Sequence, residues 1–406
     1  MNFELFIAGK IVGKRNRTFS RFIIRLAIVA VALSVAVMLI ATSSVEGFRN
    51  QISEKMFGFW GHIHITNFDA GRSSEDTRIS SDQPFYPDIE ALDGIEHIQI
   101  YARKAGIVRT DEQMEGIILK GIGSDFDWER FGQFIKKGTH FTVSDTSVSN
   151  QILISQATAD RLNLTLDDPV VIYFIQKPPR VRKFNVSGIY KTGLTEYDKR
   201  YALVDIGHIR KLNDWDPTDV GGFEIFIDNV DRIDELGDEV HRSLSDLSLV
   251  AWTIRELNPT IFDWLDLQKK NEWIILFLMV LVGGINMITA LLVLIMERTN
   301  MIGILKALGA GNWAIQRIFI YHAVYIIGIG LLIGNVVGLG LVWLQDKFGI
   351  IELSEESYYV SVVPMDIDLM TVLSLNAGTL VVCTLMLLLP SLLVTRITPI
   401  KAIRWE

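Results

Sequence analysis

The sequence predicts a membrane protein: four transmembrane α-helices with a large mixed α/β extracytoplasmic domain between spans 1 and 2. Three observations lead there. Of 406 residues, 49% are hydrophobic, and they gather in four blocks, each long enough for the roughly 20 residues that a bilayer crossing takes. Lys and Arg lie before the first block, between the second and third, and after the fourth. Between the first and second blocks, short strand-like runs alternate with helical ones, as in a mixed α/β fold. A net charge of −8 argues against nucleic acid as a partner. The single cysteine, Cys383, can form no intrachain disulfide and leaves the redox compartment open.

Residues 1–21 carry Lys10, Lys14, Arg15, Arg17 and Arg21 against Glu4, with Phe3, Phe6, Ile7 and Ile11 at helical spacing. This predicts an amphipathic helix at the cytoplasmic interface. Residues 22–44 are the first span, interrupted by Arg25. A signal peptide is the alternative, disfavoured because the apolar run is too long and no small-x-small site closes it. The domain then occupies 45–270, span 2 271–296, a cytoplasmic segment 297–315 and span 3 316–344. An outward loop at 345–367 bears Asp346, Glu352, Glu355 and Glu356. Span 4 covers 368–394, and a tail at 395–406 holds Arg396, Lys401 and Arg404. The positive-inside rule puts both termini in the cytoplasm.

Within the domain, Ser44–Met56 should continue span 1 as a stalk, and Phe262–Asn271 should form a second stalk into span 2. His62 and His64 alternate with isoleucines like a strand. Two histidines on one side could bind a metal, but no further Cys or His cluster accompanies them, so an edge strand is the preferred reading. Asp69–Pro87 is polar and reads as a mobile loop. Strand-like runs follow at Ile98–Val108, Gly116–Gly121, Gln151–Ile154, Val170–Ile175, Lys183–Ile189, Tyr201–Val204 and Phe223–Ile227. Helical stretches lie at Gln156–Leu162, Ile206–Leu212 and Arg232–Leu244. Pro178 and Pro179 stop strand pairing, predicting a protruding hairpin with Lys177, Arg180, Arg182 and Lys183 about its tip. A plain solvated turn is the alternative.

No enzyme motif is found. The Gly13-Lys14 pair lacks the Gly at position 8 and the Ser or Thr at 15 that a phosphate loop needs; Ala8 and Arg15 stand there. No HExxH or GxSxG occurs. The chain is therefore read as a non-enzyme with no cofactor and no metal of its own. Gly330, Gly334 and Gly338, four apart in span 3, suit close helix packing in lipid, and Asn286, Asn335 and Asn376 suit bridges between helices. His322 could be a functional titratable group; an ordinary satisfied histidine is preferred.

Between spans 2 and 3, MERTNMIGILKALGAG places Ile302, Leu305 and Leu308 three apart on one helical face, and Gly309 suits a helix end. A plain loop is the alternative. ERTNMIGILKALGA resembles the signature of ABC-transporter permeases with four spans and a large extracytoplasmic domain, a superfamily of lipoprotein-releasing, macrolide-exporter and cell-division permeases. TPIKAIRWE, through Pro399, Ala402, Ile403 and Arg404, resembles that superfamily's ending. GIYKTGLTEYDKRYALVD (188–205), EGFRNQISEKMFGFWGHIHI (46–65) and ILISQATADRLNLTLDD (152–168) resemble the lipoprotein-releasing (LolC/LolE-type) branch, with Glu46 where that branch usually has Asn.

The resemblance implies a multi-pass protein of the bacterial inner membrane that extracts lipoproteins for a periplasmic carrier. Its partners would be membrane lipid, ABC ATPase subunits binding ATP and Mg, and a second permease copy or paralogue. Glu297, Arg298, Ile302, Gly303, Leu305, Lys306, Ala307, Leu308 and Gly309 would couple to the ATPase. Gln176, Lys177, Pro178, Pro179 and Arg180 would form a carrier-binding hairpin. Val37, Ile40 and Met279 would line an acyl-chain cavity. Regulation of a cell-wall hydrolase, or export of peptides or drugs, are the rival functions.

Overall fold

The computed structural model describes residues 18–68, 75–110, 113–144 and 146–391. Residues 1–17 of the expected amphipathic helix and the expected tail at 395–406 lie outside the described residues. The chain divides into two compact units. One holds Met1–Asn50, Trp264–Glu352 and Val362–Glu406; the other holds Gln51–Asp263 and Leu353–Ser361.

Helix α1 runs unbroken over Thr18–Trp60. At 1.5 Å per residue it is about 65 Å long, roughly twice the hydrocarbon thickness of a bilayer, so a single helix covers both the expected span and the expected stalk. Gly61 ends it at φ +72°, a conformation open to residues without Cβ.

Among the described residues twelve strands follow: β1 (Ile63–Asn67), β2 (Ile79–Ser80), β3 (Ile95–Arg109), β4 (Met114–Ile122), β5 (Ile135–Gly138), β6 (Gln151–Ser155), β7 (Pro169–Phe174), β8 (Arg180–Tyr190), β9 (Tyr201–Asp205), β10 (Asp219–Val220), β11 (Gly222–Ile227) and β12 (Leu249–Thr253). Among them lie α2 (Gln156–Leu162), α3 (Ile206–Asn213) and α4 (Ile233–Ser243). The first two start where Ser155 and Asp205 cap free backbone N–H groups. Strand β3 is the backbone of this unit. Its first half pairs with β11, its end, Ile107–Arg109, with β7, and β4 follows it from Tyr101 onward. The pairings β3–β4, β4–β9, β9–β6, β6–β8, β8–β7 and β7–β3 close a ring, which removes the exposed edge that an open sheet would present. Beyond β11 the sheet continues through β1 to β12.

Two expectations are corrected. Strand β1 is no edge strand: it pairs with β11 on one side and β12 on the other. The polar stretch 69–87 is not a featureless loop where it is described. Strand β2 pairs there with β10, and Asp76 is buried in an ion pair with Arg103. Strand β5, IKKG, carried too few apolar residues to be read, and β12, LVAWT, is apolar without alternation.

After the domain come α5 (Pro259–Glu297), α6 (Thr299–Ala307), α7 (Asn312–Phe348) and α8 (Leu369–Met386), the last followed by a helical turn at Leu388–Ser391. Among the described residues, helices α1, α5, α7 and α8 are the four long and apolar enough to cross a membrane. Helices α1 and α7 meet along the glycine stripe. A Cβ at Gly330 would lie 2.8 Å from Val31, one at Gly334 2.7 Å from the Ala32 carbonyl, and one at Gly338 3.0 Å from Ala36. Asn335 and Asn376 exchange two amide hydrogen bonds, of 2.6 and 2.9 Å, between α7 and α8. The stripe and this pair are the helix–helix devices expected. Asn286 instead is exposed on α5.

Candidate functional sites

The segment between α5 and α7 is a helix, but its faces differ from the sequence reading. Glu297 closes α5 and Arg298 begins the turn into α6. Ile302 and Gly303 are buried, Ile302 in an apolar cluster with Ile315 and Phe319, against which Leu305 also packs. Leu308 is 79% exposed, because the helix has ended at Ala307 and Gly309 turns the chain at φ +91°. Of the three residues expected on one face, Ile302 and Leu305 therefore share it, and Leu308 departs. The surface open to a partner is built from Ile304, Leu308 and, at the start of α7, Trp313, all exposed; Lys306 and Ala307 lie beside it.

The β7–β8 hairpin forms, with Ile175–Pro179 as its loop. It is less free than expected. The Gln176 amide donates to the Leu212 carbonyl at 2.9 Å. The Arg180 guanidinium donates to the carbonyls of Lys211 and Leu212 and pairs with Asp214 at 2.6 Å. Those groups are the C-terminal end of α3, where a cation is favoured by the helix dipole. Arg180 thus anchors the hairpin, and Ile175, Lys177, Pro178 and Pro179 are its exposed part.

Val37 and Ile40 on α1 are half-buried, and Met279 on α5 is half-buried at the rim of the apolar cluster. A small void of about 10 Å³ in that cluster is lined instead by Ile24, Met287, Leu291, His322 and Ile326, among others. His322 is buried there with neither ring nitrogen hydrogen-bonded.

Sequence reasoning missed a buried ionic group at the end of α1. Lys120 of β4 and Glu224 of β11 are 1% and 0% exposed, with Nζ 2.7 Å from Oε1. Lys120 also donates to the Phe59 carbonyl at 2.5 Å, and its ammonium stands 4.6 Å from the Trp60 ring. Gln99 of β3 donates to Glu224 at 2.8 Å. Burial pulls Lys120 down and pushes Glu224 up from their ordinary pKa values, and their mutual attraction opposes both shifts. The available signal was a Lys inside the apolar run of β4, IILKGI. His62 and His64 flank this group. Burial, then Arg130, takes His62 down to about 3, while burial with Lys120 and Arg103 holds His64 well below its ordinary 6.5. Among the described residues no group of three His, Cys, Asp or Glu could hold a metal ion.

Residues 26–242 match the family model of a MacB-like periplasmic core domain, and residues 273–399 that of an FtsX-like permease C-terminal region. The lipoprotein-releasing system transmembrane protein LolC of Xylella fastidiosa (strain 9a5c) is 24% identical, with 97% of this chain and 96% of that protein covered. LolC of Neisseria meningitidis serogroup B is 23% identical over 97% of both chains, and LolE of Haemophilus influenzae 20% identical over 99% of both. Among solved structures, the extracellular domain of the ABC-type transporter YknZ aligns at TM-score 0.33 and 17% identity, with 47% of this chain and 98% of that one covered. The periplasmic region of MacB from Actinobacillus actinomycetemcomitans aligns at TM-score 0.34 and 14% identity, with coverages of 49% and 91%.

Proposed function

Since this chain belongs to the permease family with a MacB-like core domain and an FtsX-like C-terminal region, as an ABC permease of the LolC/LolE type, we propose that it extracts lipoproteins from the outer leaflet of a bacterial inner membrane and passes them to a periplasmic carrier. The observation that carries this reading is similarity to LolC over 97% of the chain, which takes in the spans and the α/β domain together.

A separate ATPase subunit binds ATP and Mg and docks on the segment from Glu297 to Gly309. Ile304 and Leu308 supply the apolar contact, and the buried Ile302 and Gly303 pass its displacement to the apolar cluster. A second permease, a copy or a paralogue, covers the half-buried Val37, Ile40 and Met279 and completes an acyl-chain cavity with them. The hairpin loop meets the carrier through Ile175, Lys177, Pro178 and Pro179, with Arg180 as its anchor. Both termini lie in the cytoplasm.

The test is purification of the whole complex from native membranes, followed by mass spectrometry. Co-purifying triacylated protein supports the reading; a bound cell-wall hydrolase, or a peptide or drug cargo, overturns it. Replacing residues 176–180 by a Gly-Ser turn should reduce carrier capture while ATPase activity persists, and unchanged capture removes the hairpin from the reading. A thiol placed by Leu247→Cys should react with an impermeant reagent in intact spheroplasts, against low background because Cys383 is buried. Reaction only after lysis would reverse the orientation.

A further inference from the structure

Helix α1 is continuous from Thr18 to Trp60, and its last turn lies in the α/β unit. That turn ends in free backbone carbonyls, as every helix does. One of them, at Phe59, is taken by a buried ammonium from the sheet. Lys120 holds the Phe59 carbonyl and the Glu224 carboxylate at once. Glu224 is held in turn by Gln99, whose own amide oxygen accepts from the Asp127 backbone N–H at 3.0 Å. Three adjacent strands, β11, β3 and β4, therefore reach one helix end through a single cation. Around it the fit is tight: a Cβ at Gly61 would lie 3.3 Å from the Glu224 Cβ. The Phe59 ring packs among Phe131, Tyr190, Tyr197 and Tyr201.

Stability is a poor reason for such a pair. Desolvation offsets most of the attraction, and apolar residues of equal volume often serve as well or better. A directional bond does something that apolar packing does not, since it fixes the angle and register of the helix end against the strands. Resting on the transport reading above, we infer that Lys120 and Glu224 are positioning residues that clamp the end of α1 to the sheet and carry the helix's displacement into the α/β domain.

The test uses the complete complex in proteoliposomes. Lys120→Met/Glu224→Leu removes the directional bonds and keeps the volume; Lys120→Arg keeps donors to both partners. The double variant should hydrolyse ATP at close to the wild-type rate but release about fivefold less lipoprotein per ATP, the low end of common coupling between sites. Lys120→Arg should restore much of that ratio. A purely structural role would lower ATPase and release together, and that result, or an unchanged ratio, overturns the clamp.

A second measurement needs no variant and no cargo. When the wild-type complex is trapped with ATP and vanadate, hydrogen exchange should change together in the last turn of α1 and in β4 and β11. Strands that do not respond overturn the clamp even if the double variant fails to assemble. A complex that releases no lipoprotein but shows the joint response sinks the transport reading and leaves the clamp standing.

Discussion

Helices α1 and α7 meet where α7 has no side chain at all, at Gly330, Gly334 and Gly338. The interior of the α/β domain is filled by large rings, Phe59, Phe184, Tyr190 and Phe223, and holds the ion pairs Lys120–Glu224 and Arg103–Asp76. The surrounding solvent accounts for the contrast. Lipid tails are as apolar as leucine, so helices in a bilayer gain little from burying apolar area and associate through short-range packing and interhelical hydrogen bonds. In water, apolar burial drives folding, and a core so formed has room for charges that are fully paired. The polar groups follow the same division. Helices α7 and α8 use a neutral amide pair, where an ion would be expensive, while the domain uses carboxylates and cations.

The sharpest way to break this contrast is to orphan a charge. Asp76→Ala leaves the half-buried Arg103 without its three hydrogen bonds to the carboxylate and should cost about 3 kcal/mol, read as a fall in the thermal midpoint of tryptophan fluorescence. Adding Arg103→Met should recover most of it. If the single variant is as stable as wild type, the domain does not depend on paired charges. Next comes the helix seam. Gly334→Leu should cost roughly 1–3 kcal/mol or more by overpacking and lower the yield of monodisperse protein, whereas Gly340→Leu, where a Cβ meets nothing within 4 Å, should behave as wild type. Equal yields would deny that the stripe is a contact.

Acid sharpens the comparison from the domain's side. His62 titrates at about 3 in the fold against 6.5 ordinarily. The unfolded chain therefore binds more protons between those values, and stability is lost as pH falls below about 6.5. The slope is about 1.4 kcal/mol per pH unit, and His64, shifted the same way, adds to it. His62→Phe with His64→Phe should flatten the midpoint between pH 7.5 and 5.5; a slope that survives places the effect elsewhere. The smallest expected effect is Asn335→Leu, which removes one side of the amide pair and should cost about 0.6–1.7 kcal/mol. A loss larger than that of Asp76→Ala would invert the contrast.

Patterns repeated many times along the chain were legible in the sequence. Apolar runs marked four spans, and α2 was read to its bounds, Gln156–Leu162, because its cap and periodicity agree. The glycine stripe was legible because its spacing is the helix's own. Single residues misled when their partners were remote. His62 and His64 suggested an edge, yet the pairing of β1 depends on β11 and β12, which lie far along the chain. Leu308 fitted a face that ends one residue earlier, and Arg180 read as a free cation until α3 supplied Asp214.

By itself, then, the sequence determined that four helices cross a membrane, that an α/β domain lies between the first two, and which family motifs the chain carries. Local spacing and composition suffice for each. Tertiary structure alone decided the ring of strands about β3, the inward turn of Ile302 and Gly303, and the meeting of Lys120, Glu224 and the Phe59 carbonyl. Those last two side chains are 104 residues apart, and nothing in the local spacing of either records the other. Only the strand order that brings β4, β3 and β11 side by side under the end of α1 places a buried charge within reach of its partner.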